Sequence, residues 1–247
     1  MVEPMFSGSL RYLTREMPYT KTTASYNFTQ KGNDMDFNNL LNQVLGAVQQ
    51  SGNKVMSDNN PLNSFGGGTL IGGLAAMLLK KGGTKSLLKA GSAAALGMMA
   101  YQAYQNWQGG RQNSTSTVAA LPEAAFAAQG QLAEERSRVI LRTMIAAAAS
   151  DGLIDETEKQ LIAQEGGADA EVRQWLANEY ARPASINELI EAVGGDQALA
   201  AEAYLAARAV CGDLVRGEIA FLSRLSQALG LDDGLVEQLE RQLELAQ

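Results

Sequence analysis

The chain reads as all-α: a multi-helix C-terminal bundle preceded by a glycine-rich apolar helical hairpin. Three observations predict this class. Long segments are built from Ala, Leu, Glu and Gln, which favour helix, while aromatic residues make up only 6% of the 247. Apolar residues recur at i, i+3, i+4 and i+7, the spacing of one helix face. Capping residues and glycines punctuate these runs where helices would begin and end.

Residues 1–34 are Thr-, Tyr- and Ser-rich and have no apolar period. They are expected to be a disordered extension or a mis-assigned start, with Met35 as the natural first residue. The reason lies upstream of Met35, where Lys31-Gly32 implies purine-rich codons of the kind a bacterial ribosome-binding sequence has. Residues 35–50 form a short amphipathic helix carrying Phe37, Leu40, Leu41, Val44, Leu45 and Val48. Residues 51–68, rich in Ser, Asn and Gly, read as a linker.

Residues 69–108 hold two apolar stretches, Thr69–Leu79 and Ala90–Tyr104, around a turn with Lys80, Lys81, Lys85 and Lys89. Neither reaches the roughly 20 apolar residues that a single spanning helix needs. Small residues recur at helical spacing at Gly68, Gly72 and Ala76, and the second stretch repeats the spacing at Gly91, Ala95 and Met99; faces of small residues let helix backbones approach in lipid. Tyr101, Tyr104 and Trp107 follow, as interfacial aromatics do. The expectation is attachment to membrane lipid through residues 66–108. A shallow or re-entrant hairpin is favoured over a single span from Leu87 to Trp107, because a spanning hairpin would carry its lysines across the bilayer. The competing reading packs both stretches on the helical domain.

Residues 109–121 are a second linker, and 122–247 form the helical domain. Pro122 suits a first helical position, and Val139, Leu141, Met144, Ile145 and Ala148 follow it. Asp169 caps a helix with Val172, Trp175 and Leu176. Ser185 and Glu188 form a capping box ahead of Ile186, Leu189, Ile190 and Val193, and Gly194-Gly195 end that helix. Asp196 caps the next, with Leu199, Tyr204, Leu205 and Val210. Ile219, Leu222, Leu225 and Leu229 mark another, ended by Gly230, and Asp232 or Asp233 opens the last.

Charge divides the chain. Residues 35–111 carry six Lys/Arg against two Asp/Glu, net +4, and residues 112–247 carry ten against twenty-two, net −12. The acidic half repels nucleic-acid phosphates, so no nucleic-acid partner is expected. The absence of histidine excludes His-based triads, His general bases and His-ligated zinc. Cys211, the single cysteine, reads as a buried, inert thiol, and the lack of a second fits a reducing compartment. "GGGTLIGG" and "GGTKS" lack the order of a phosphate loop. No nucleophile–base pair stands out, so an enzyme is not expected and no cofactor is implied.

One stretch resembles metal chemistry. In "SDGLIDETE", Asp151, Gly152, Asp155 and Glu158 fall at positions 5, 6, 9 and 12 of a calcium loop. Positions 1 and 3 would then be Ala147 and Ala149, which have no side-chain oxygen. Asp151, Asp155 and Glu158 are thus candidate ligands of at most a weak divalent site. The alternative uses every residue: Gly152 ends one helix at positive φ, Asp155 caps the next, and Glu158 is its third-position partner. An ungapped match of 151–162 to 211–222 pairs Gly152 with Gly212 and Glu158 with Glu218, but Asp151 with Cys211 and Asp155 with Val215. A structural turn survives such losses, and a paired metal site does not.

"AASDGLIDETEKQLI" together with "FLSRLSQALGL" resembles the tellurite-resistance TerB-like helical domain. The preceding hairpin ending "MAYQAYQNWQ" is similar to the YebE-type subgroup of inner-membrane proteins. The resemblance implies an all-helical domain on a bacterial inner membrane, the helical part cytoplasmic, and metal-binding acids for which only Asp151, Asp155 and Glu158 match. The resulting expectation is a non-enzymatic, membrane-associated interaction protein with an unknown protein partner, acting in envelope or tellurite and other stress responses. A metal-sensing domain using the acidic turn is the alternative.

Overall fold

The computed structural model describes residues 35–54, 91–110, 120–150, 152, 170–212 and 214–245. The chain divides into two units at Asp34/Met35, and every described residue belongs to the second. Among the described residues there are eight α-helices and one 3-10 turn: α1 (Phe37–Lys54), α2 (Ala93–Gly110), the turn Glu123–Phe126, α3 (Gln131–Ala149), α4 (Ala170–Ala181), α5 (Ile186–Val193), α6 (Gln197–Val210), α7 (Arg216–Ala228) and α8 (Asp233–Leu245). The expected all-α class holds.

Two helices form the axis. In α3, Val139 through Ala148 is buried nearly all round, with Met144, Ile145 and Ala147 at 1% exposure or less. In α6, ten of the fourteen residues are buried Ala, Leu or Tyr. A helix that is apolar on every side belongs inside a protein, and alanine stripes let the two backbones lie close. α3 and α6 make the most extensive helix–helix contact among the described residues, and the other helices wrap around them.

Local signals set the ends. Asp36 Oδ1 accepts from the Asn39 amide at 2.6 Å and starts α1; Ser92 Oγ accepts from the Ala95 amide at 3.1 Å and starts α2. The Ser185/Glu188 capping box is present in full, Gly194 closes α5 at φ 60°, and Asp196 caps α6 through the Leu199 amide. Gly230 follows α7 at φ 65°, and Asp232 accepts from the Gly234 amide to start α8.

Three expectations are corrected. Pro122 precedes the short 3-10 turn rather than opening a long helix; α3 begins only after Gly130, whose φ of 60° reverses the chain. Ile219 is 52% exposed, because α7 turns only Leu222 and Leu225 fully into the core. At the end of α6, the left-handed residue is Leu214 (φ 48°) and not Gly212, so this turn differs in shape from the one at Gly152 (φ 77°) that it matches in sequence.

The buried core is also continuous beyond residue 122. Leu40, Leu41, Val44 and Leu45 of α1 join it against α3. Leu96, Ala100, Ala103 and Tyr104 of α2 join it against α6 and α8. The face of the second apolar stretch that carries these residues is therefore covered by protein. Trp107, expected at a membrane interface, donates its Nε1 to Asp232 at 2.8 Å and ties α2 to the start of α8. The first stretch, Thr69–Leu79, and its lysine-rich turn lie outside the described residues. No described helix is long and apolar enough to cross a membrane.

Candidate functional site

Asp151, Asp155 and Glu158 all lie outside the described residues, as does Asp169. Their neighbour Gly152 is described: its φ is 77°, and its amide donates to the Ala149 carbonyl at 3.0 Å, ending α3. The matching turn before α7 is described more fully. There the Val215 amide donates to Glu218 Oε2 at 3.1 Å, which is the glutamate half of a capping box. Val215 has no oxygen to return the bond. Cys211, which pairs in sequence with Asp151, is fully buried in the core. Among the described residues, no group of three or more His, Cys, Asp or Glu side chains is arranged to hold a metal ion.

The charged chemistry of the described residues lies elsewhere, inside the bundle. Arg136 on α3 and Glu202 on α6 are 5% and 4% exposed. Arg136 Nε and Nη2 both donate to Glu202 Oε2, at 3.3 and 3.1 Å. Its Nη1 donates to Asp196 Oδ2 at 3.0 Å, on the residue that caps α6. Burial pushes the Glu202 carboxyl up to about 7, against the opposing pull of the Arg136 guanidinium beside it. Two further pairs link α3 to α4, through Arg142 and Glu179 at 2.9 Å, and α6 to α8, through Arg208 and Glu240 at 3.7 Å. Tyr204 donates to the same Glu240, and burial holds its phenol well above the usual range.

The Arg136–Glu202 pair lines a cavity of about 280 Å³ between α1, α2, α3, α6 and residues 126–129. Asn38, Asn42 and Ser137 supply further polar groups; Ala93, Ala133 and Ile140 supply apolar wall. Asn42 is fully engaged, donating to the Asn38 carbonyl and side chain and accepting from the Ala93 amide. Close approach at one end depends on Gly97 of α2: a Cβ there would lie 2.2 Å from the Phe126 carbonyl oxygen and 3.2 Å from Glu202 Oε1. Arg136 and Glu202 went unnoticed in the sequence because a lone Arg and a lone Glu, 66 residues apart, carry no local pattern.

The profile of one family, described as a protein of unknown function (DUF533), matches residues 64–243. The chain belongs to DUF533. The match takes in α2, the acidic turn and the later described helices up to residue 243 in α8, and this is a TerB-like family. No curated protein and no solved structure matches the chain. Neither the cavity nor the acidic turn thus takes a role from a DUF533 relative.

Proposed function

We propose that this DUF533 protein is a non-enzymatic interaction module held at a bacterial inner membrane, with the helical domain on the cytoplasmic side. The observation that carries the reading is the anchoring of α2. Leu96, Ala100, Ala103 and Tyr104 fix this helix in the core, and Trp107 fastens its end to Asp232. Directly ahead of it in sequence runs the apolar segment with Lys80, Lys81, Lys85 and Lys89. A lysine near anionic headgroups contributes about 1 kcal/mol to attachment. The lysine-bearing segment thus adjoins a fixed helix of an acidic domain, an arrangement suited to holding that domain beside a membrane. The YebE-type resemblance supports the same place, and the TerB-like character suggests envelope or tellurite-stress responses with a protein partner.

The acidic turn is read as structural. Glu218 holds the Val215 amide in the matching turn, which supports the same role for Glu158 toward Asp155. Metal sensing through Asp151, Asp155 and Glu158 gains no such support.

Membranes from cells producing the full chain, washed with high salt and then with carbonate, test the attachment. Retention through the salt wash supports it; resistance to carbonate would mean that the apolar segment ahead of α2 is inserted in the bilayer. A protein wholly in the soluble fraction before washing refutes it.

A further inference from the structure

We propose that the outer face of α7, with the turn that leads into it, is a second membrane contact that lays the helical domain against an anionic lipid surface. The inference rests on the membrane attachment proposed above and adds which face of the domain turns to the bilayer. Of the six exposed large apolar side chains among the described residues, three stand here: Leu214, Val215 and Ile219, at 36, 46 and 52% exposure. Val215 and Ile219 are four residues apart at the start of one helix, so they are neighbours on its surface. Leu214 adjoins them in the left-handed region, φ 48°, a conformation that costs free energy in any residue with a side chain. Burial does not offset that cost, because Leu214 is left partly in water. Exposed apolar side chains gathered in one place mark a surface of contact.

Charge selects the occupant. In the acidic half of the chain, α3, α4, α5 and α8 each expose an acid: Glu135, Glu171, Glu191 and Glu237. α7 exposes none. Its single acid, Glu218, is 2% exposed and holds the Val215 amide. Arg216 and Arg224 are exposed on the same helix, and neither has an ion-pair partner among the described residues. Asp213, ahead of the turn in sequence, lies outside the described residues. A domain with a net charge of −12 over residues 112–247 is repelled by an anionic bilayer through its acidic faces. Held at that bilayer by the segment ahead of α2, it gains most by turning α7 inward.

The chemistry of the face fits lipid better than protein. Protein hot spots are built on Trp and Tyr anchors and are poor in Leu and Val, whereas aliphatic residues beside arginines suit a shallow contact at the headgroup boundary. Guanidinium groups pair with phosphate in a two-bond fork. The N-terminus of α7 has no side-chain cap hydrogen bond, which leaves its first amides to solvent or to a headgroup phosphate.

The full chain carrying Ala220→Cys, labelled with the environment-sensitive dye NBD, reads this face. Glu237→Cys on α8 is the reference position, and Cys211 is fully buried and so out of reach of the label. On vesicles of phosphatidylglycerol and phosphatidylethanolamine, the label at 220 should shift to the blue and lose most of its emission to a nitroxide-bearing lipid. The label at 237 should do neither. Phosphatidylcholine vesicles should give no shift at 220. Arg216→Glu with Arg224→Glu should abolish the shift on anionic vesicles while the chain still sediments with them. Sedimentation of the same samples separates this contact from the attachment it rests on. A chain that does not sediment overturns both; a chain that sediments with the label at 220 still in water overturns the contact alone and leaves the patch to an acidic protein. An equal shift on phosphatidylcholine, or a blue-shifted label before any vesicle is added, would also overturn the contact.

Discussion

Replacing Gly97 by alanine separates local helix preference from tertiary packing, because the two predict opposite signs. Gly97 sits inside α2, where alanine is favoured over glycine by about 0.5–1 kcal/mol. If only the helix mattered, the variant would be more stable. The new Cβ would, however, lie 2.2 Å from the Phe126 carbonyl oxygen, a distance no real contact tolerates. That atom is backbone, so no rotamer change relieves the clash. Relief requires moving the 3-10 turn away from α2, and Phe126 stacks against Tyr101 and Tyr104 with ring centroids 5.5 and 5.8 Å away. Overpacking of a tight site costs up to about 3 kcal/mol. Subtracting the helix gain of about 1 kcal/mol leaves a net loss near 2 kcal/mol. For a unit of this size that lowers the melting temperature by about 4–8 °C. Gly109 is an internal control on the same helix: its Cβ would meet nothing within 4 Å. Thermal unfolding followed by circular dichroism should show Gly109→Ala at or above the parent and Gly97→Ala clearly below it. A Gly97→Ala protein as stable as the Gly109→Ala protein would refute the packing at this end of the cavity.

Stability should also vary with pH through Glu202. Its folded value, about 7, lies above the ordinary 4.5, so its contribution is full below about 4.5 and is lost as pH rises through 7. Urea midpoints at pH 5 and pH 8 should show this decline, and Glu202→Gln should flatten it. Ser185→Ala removes half a capping box and should cost about 1 kcal/mol by urea titration. The same change should raise Glu188 partway from about 2, since it removes the Ser185 hydroxyl bond and leaves the larger one from the Ser185 amide; carboxyl NMR titration reads this directly. Asp155→Ala should destabilise the full chain by about 0.5–2 kcal/mol, equally in calcium and in chelator. A loss seen only with calcium present would restore the metal reading.

Helices α5, α6 and α8 were legible because their signals are local. Ser185 and Glu188 find each other three residues apart, Asp196 reaches the Leu199 amide, and the glycines at 194 and 230 adopt the positive φ that ends a helix. The apolar face of α1 was legible for the same reason, as Leu40, Leu41, Val44 and Leu45 share one side of a helical period. What those faces would meet was not legible. The alanine- and glycine-rich face of α2 suits lipid or protein equally, since both reward close packing of small residues. Only the fold decides that Leu96, Ala100 and Tyr104 lie against α6 and α8. Ile219 keeps the helical period and still faces outward, because period alone does not fix how a helix is rotated. The ion pair of Arg136 with Glu202 and the need for glycine at 97 belong wholly to the tertiary structure. Each arises from residues far apart in the chain, brought together by α3, α6 and the turn at Phe126, and no window along the sequence contains them.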